Sequence, residues 1–84
     1  MGKFQVSFKR SNGEKVLVDT FEDKAESVKE FEGDIPHFNL IYDYIHKLNP
    51  NYTIYYIRSF PSNDKNTLII DVGSHTEFFH ITKI

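Results

Sequence analysis

Four histidines, at positions 37, 46, 75 and 80, have the widest chemical range in this sequence. A zinc-like metal needs ligands converging within about 2.0–2.3 Å of one point. His75 and His80 lie an odd number of residues apart in a predicted strand, so they point to opposite faces. His37 and His46 are nine apart on a predicted helix, again on opposite sides. Asp43 shares a helical face with His46, but two groups do not close a coordination shell. No metal and no cofactor is expected.

Nucleophilic chemistry finds no better footing. There is no Cys, and no Ser stands in a glycine-flanked elbow. Ser74 and His75 are adjacent on a predicted turn, where neighbouring side chains diverge. The four glycines form neither a dinucleotide fingerprint nor a phosphate loop. The chain is not expected to be an enzyme.

Charge is the most uneven property. Residues 19–34 contain Asp19, Glu22, Asp23, Glu26, Glu30, Glu32 and Asp34 against Lys24 and Lys29. On a helix, Glu22, Glu26 and Glu30 form a stripe at four-residue spacing. Like charges so placed oppose the helix by a few tenths of a kcal/mol per pair. Such a stripe can imitate phosphate charge toward a basic partner. Glu22, Asp23, Glu26, Glu30 and Asp34 are therefore candidate partner-binding residues, with Leu40 as an apolar neighbour. A solvated helix face explains the same acids.

The elements that position these residues follow from periodicity. Lys3–Arg10 alternates apolar and polar residues, and Lys15–Thr20 returns as a second strand. A three-residue loop, Ser11–Gly13, sets Phe8 against Val16 and Val6 against Val18, gathering the apolar side chains on one face. Phe21, Ala25, Val28 and Phe31 predict an amphipathic helix over Thr20–Glu32, with Thr20 and Asp23 as a capping pair and Gly33 as its stop. A second helix begins at Asp34 as N-cap, with Pro36 in its first turn. Its stripe is Phe38, Ile41, Ile45 and Leu48, and Asn49-Pro50 ends it. Tyr44 is expected to be buried between the helices and Leu40 partly exposed. Tyr52–Phe60, Thr67–Val72 and His75–Ile84 form a meander, with a two-residue turn at Gly73-Ser74 and with Leu68, Ile70, Val72, Phe79 and Ile81 facing the core.

The expected fold is thus α+β, strand-strand-helix-helix-strand-strand-strand. A five-stranded, mainly antiparallel sheet carries two helices packed on one face. Two helices return the chain to the end of the sheet it left, so the third strand should oppose the second. Sequence order is the simplest strand order. The alternative places the third or fifth strand beside the first in a mixed sheet.

Eighty-four residues make a single domain, 1–84. Aromatic residues reach 15%, offsetting a low apolar content of 39%, because each buried ring removes a large area from water. Absence of cysteine suits a reducing compartment, and no apolar run approaches membrane-spanning length. The protein is expected to be cytoplasmic and monomeric, its edge strands guarded by Lys3, Lys9, Arg10 and Lys83.

The Lys-, Asn-, Ile-, Tyr- and Phe-rich composition, the short cysteine-free chain and the run LNPNYTIYYIRSFPSNDKNTLIIDVGSHTEFFHI resemble small accessory proteins of phages and mobile elements in low-GC Gram-positive bacteria. Anti-CRISPR inhibitors are among them. The resemblance implies a non-enzymatic inhibitor of a host nucleic-acid-handling or defence enzyme, here acting through the acidic surface. Two alternatives are a structural or oligomeric accessory role and single-strand nucleic-acid binding by an aromatic sheet face carrying Tyr52, Tyr55, Tyr56, Arg58 and Phe60. The net charge of −2 and the missing glycine–aromatic signature weigh against direct nucleic-acid binding.

Overall fold

The computed structural model describes residues 1–84. Five strands, β1 (Gly2–Lys9), β2 (Lys15–Asp23), β3 (Arg58–Pro61), β4 (Thr67–Asp71) and β5 (Phe78–Lys83), form one antiparallel sheet in the order β2-β1-β5-β4-β3. A single helix, α1 (Phe38–Leu48), and a 3-10 turn at Val28–Phe31 accompany it. The fifth strand thus lies beside the first, as in the alternative order, yet the pair is antiparallel.

Four successive antiparallel steps make β2 and β3 run in the same sense, contrary to expectation. The reason is the number of helices. One helix carries the chain back along the sheet once, where two would have returned it to the end it left.

The segment expected to be the first helix is mostly strand. Thr20–Asp23 continue β2 and pair with Gly2–Gln5 of β1. Ladder hydrogen bonds offered by β1 outweigh a weak helical preference already burdened by three like charges. The apolar set is nevertheless buried as expected: Phe21, Ala25, Val28 and Phe31 all join the core. Phe4 is the hub, stacked on Phe21 at 5.4 Å and edge-on to Phe31 at 5.2 Å.

A bulge makes this possible. Beside the three-residue loop the expected register holds, with Phe8 opposite Val16. Val18 is then an extra residue, so Val6 faces Asp19 and Phe4 faces Phe21. Without the bulge Thr20 would oppose Phe4 and Phe21 would point outward. Gly2 donates its N–H to the Ala25 carbonyl at 3.0 Å. A side chain at Gly2 would meet that oxygen at 2.4 Å, so only glycine fits there.

Helix α1 starts later than expected. His37, not Asp34, precedes it, in a left-handed conformation with φ of 51°. Its ring stacks on Phe21 at 4.0 Å and bonds Asp23 at 2.9 Å, contacts that hold a conformation costly for a non-glycine residue. Asn49 caps the other end, as predicted. Ile41 and Ile45 are buried, whereas Phe38 and Leu48 are exposed. The buried stripe is therefore rotated toward Leu40 and Tyr44, both half-buried against the core. Tyr44 packs on Phe8 and Phe79 of the sheet, there being no second helix to cover it.

Leu68, Ile70, Val72, Phe79 and Ile81 face the core, as expected. The connection between β4 and β5 is longer than a two-residue turn, since Asp71 pairs with Phe78. The register moves by two residues, which preserves the faces. Tyr52–Ile57 lies outside any strand, leaving β3 only four residues long. The sheet's edges are β2 and β3, not the strands at the two ends of the chain. The bulge in β2 and Pro61 in β3 oppose pairing with another chain at those edges.

No helix is long and apolar enough to cross a membrane.

Candidate functional site on the uncovered sheet face

Helix α1, the 3-10 turn and the core all lie on one side of the sheet. No helix covers the opposite face, although Ser7 and Asp71 on it are buried, and its side chains follow from the register. One row across the five strands reads Phe60, Ile69, His80, Ser7, Leu17 from β3 to β2. The next reads Arg58, Asp71, Phe78, Lys9, Lys15. Neighbours within a row stand about 4.8 Å apart, and the two rows about 7 Å. An apolar row thus borders a row in which three cations flank an aromatic ring.

The hairpin tip Ser11–Gly13 and Phe60 line a hollow of about 590 Å³ together with Ile69, Phe78 and His80. Phe60, Ile69, Phe78 and His80 are half-buried, while Leu17 remains 59% exposed. Lys9 and Lys15 are paired across the hairpin and make no ion pair. Like charges directly opposite are unfavourable in a ladder.

His80 lies in the apolar row, diagonal to Lys9 across the β1–β5 ladder. Burial and the charges of Lys15 and Lys9 hold its pKa near 4, so its ring is neutral at pH 7. The rings of His37, His46 and His75 are each hydrogen-bonded, and that of His80 is not.

Asp71 is the only acid inside the cationic row, and it is 0% exposed. It accepts the Gly73 N–H at 2.8 Å and bonds the His75 ring at 3.0 Å, with the Arg58 Nε 3.7 Å away. Burial raises its pKa, but backbone N–H groups of Gly73 and His75, together with the His75 ring, outweigh this and hold it below the ordinary carboxylate value. Asp71 thereby anchors Arg58, whose guanidinium lies over Phe60 at 5.0 Å and Tyr56 at 5.8 Å.

The acidic residues meet a different fate. Asp23 accepts the Ala25 N–H at 3.0 Å as well as bonding His37. Glu30 accepts the N–H groups of Glu26 and Ser27 at 2.6 and 3.1 Å. Asp34 accepts the Ile35 N–H at 2.8 Å. Glu26 pairs with the terminal amine at 3.0 Å and lies 3.9 Å from Lys83. Glu22 faces Lys3 across the ladder. No helical stripe joins them, and Leu40 lies against the core on the helix layer. Asp23, Glu30 and Asp34 do share the lining of a hollow of about 500 Å³ with His37.

Of the five aromatic-face residues expected from the sequence, Arg58 and Phe60 reach the sheet face. Tyr52 instead donates its hydroxyl to the Val72 carbonyl at 2.9 Å, and Tyr55 is 92% exposed outside the sheet. Phe78, His80, Lys9 and Lys15 complete the site; the sequence offered His80 only as a metal ligand and Lys9 only as an edge guard, and gave Phe78 and Lys15 no site role. Their signal was the alternation itself, because Lys9, Phe78 and His80 each adjoin a core residue and Lys15 adjoins the half-buried Val16. No cluster of three or more histidine or acidic residues could hold a metal ion. Comparison with family models, curated proteins and solved structures found no match.

Proposed function

We propose that this protein is a non-enzymatic binding module that holds single-stranded nucleic acid on its uncovered sheet face. One observation carries the reading: Phe78 lies in a cross-sheet row with Arg58, Lys9 and Lys15, beside Phe60 and a hollow. Exposed rings stack on bases of any type, and cations beside them track the phosphates. The net charge of −2 does not oppose this, because most of the acid lies in segment 19–34, away from Lys9, Lys15 and Arg58. Apart from the buried Asp71, the second row has no acid to compete for its cations.

The test is fluorescence anisotropy of a labelled oligothymidylate of about a dozen nucleotides, the upper range for a small sheet-based site. Binding should weaken steeply with salt, and Phe78→Ala should weaken it by about fivefold or more, the loss of one stacked base. Absence of binding at low salt and high protein concentration would remove the reading.

The hollow lined by Asp23, Glu30 and Asp34 favours a second reading. In it the protein blocks a basic, nucleic-acid-handling enzyme, the inhibitor role implied by the resemblance to phage accessory proteins. A partner recovered from cell extract would then be released when Asp34, on the rim of that hollow, is reversed to Lys. Equal retention by that variant would sink it.

A further inference from the structure

Resting on the nucleic-acid reading, we infer that the corner formed by Lys9, Lys15 and His80 is an anion subsite that takes a phosphate group of the bound strand, and that filling it draws a proton onto His80. Three observations place it there. Lys9 and Lys15 stand opposite one another on adjacent strands and point to the same uncovered face. Neither has a carboxylate partner, so their mutual repulsion is relieved by nothing inside the protein. His80 and Lys9 line one hollow, large enough for a phosphate and part of a nucleotide.

The surroundings of His80 are otherwise uncharged. Ile69 faces it from β4, Ser7 from β1, and Phe60 and Leu17 lie beyond them in the same row. Arg10 also lines the hollow but is 3.9 Å from Glu14 at the hairpin mouth. The nearest acid across the ladder, Asp71, is held by Gly73, His75 and Arg58. The charge on His80 is thus suppressed first by burial and then by the two lysines, Lys15 and Lys9. A phosphate between the lysines cancels their field and offers an acceptor to the imidazolium. Proton uptake and anion binding must then strengthen each other by the same factor.

The wild-type protein tests this directly. The ring proton signal of His80 is followed by NMR against pH in three arms: free, with millimolar inorganic pyrophosphate, and with saturating oligothymidylate. Its midpoint should move upward by about one pH unit or more in both ligand arms, the size of a tenfold coupling. Oligonucleotide affinity should tighten by about fivefold from about pH 7 to about pH 4, the window set by a His80 midpoint that starts near 4, and His80→Gln should abolish that dependence without abolishing binding. The melting temperature of the variant shows whether it is folded.

An unmoved His80 midpoint in both ligand arms overturns the inference. If oligonucleotide binding then persists and remains sensitive to Phe78→Ala, only the inference falls. A shift with pyrophosphate but no oligonucleotide binding supports the anion subsite and removes the nucleic-acid reading. A shift in both arms supports the two together.

Discussion

The acidic segment 19–34 and the cationic row of the sheet carry comparable concentrations of charge, and the fold treats them in opposite ways. In the segment, Asp23, Glu30 and Asp34 accept backbone N–H groups that an irregular chain would otherwise leave unpaired. Their charge is a by-product of local satisfaction. On the sheet, Lys9 and Lys15 satisfy nothing and oppose each other across the ladder. Charge that stabilises the fold needs no partner to explain it. Charge that works against the fold is what the proposed ligand would offset.

The sharpest way to break this comparison is to remove the one acid in the cationic row. Asp71→Ala should cost about 3 kcal/mol, since it deletes charge-assisted hydrogen bonds from a buried site. Chemical denaturation would show it. It also frees Arg58 from its anchor, so oligonucleotide binding should become less sensitive to Arg58→Ala. A stability change near zero would mean that Arg58 and His75 hold the loop unaided.

Reversing Lys9 and Lys15 together to Glu should lower oligonucleotide affinity by about a hundredfold, roughly tenfold for each cation lost. Charge at these positions should also set the salt dependence. Substituting either lysine alone by Gln should reduce the slope of log affinity against log salt by about 0.7. Lys15→Glu alone should leave the fold more stable by a few tenths of a kcal/mol, having turned a like pair into an opposite one. A variant that is both more stable and less able to bind would establish that stability and function compete at this pair.

The third test is pH. Folding lowers the His80 pKa from 6.5 to about 4, so the unfolded chain takes up this proton first. Stability from this group is full above about pH 6.5 and is lost as pH falls toward about 4, amounting to about 2 kcal/mol once partial exposure is allowed for. The stability difference between the wild type and His80→Gln should move in favour of the variant by about 2 kcal/mol as the solution is acidified over that window. Asp71, also depressed in the folded protein, adds a loss only below the ordinary carboxylate range.

Smallest is the effect of Glu30→Ala, which removes the acceptor for two N–H groups ahead of the 3-10 turn. It should cost about 1 kcal/mol, as losing a capping side chain does, and leave oligonucleotide affinity unchanged. If affinity rose instead, the acidic segment would be acting at a distance on the sheet face.

What the sequence determined by itself was mostly composition by face. Strict alternation in Phe4, Val6 and Phe8, and in Leu68, Ile70 and Val72, assigns a core face in any antiparallel arrangement. The four apolar residues Phe21, Ala25, Val28 and Phe31 are buried whether the segment is helix or strand. Asn49-Pro50 ends a helix wherever that helix packs, because proline denies the next turn its backbone bond. The same alternation defined the opposite face, and Phe78, His80, Lys9 and Lys15 could have been read from it.

Tertiary structure decided the rest. Whether Thr20–Asp23 became helix or strand depended on β1 offering free ladder bonds alongside, a contact no local window contains. That choice removed one helix, reversed the sense of β3, β4 and β5, and brought β5 against β1. Phe78 thereby came to lie beside Lys9, and His80 beside the hairpin. Which polar face stays uncovered is equally non-local, since it depends on how many helices there are to cover it. An isolated lysine pair in a hairpin carries little information until a sheet places an aromatic ring and a half-buried histidine next to it.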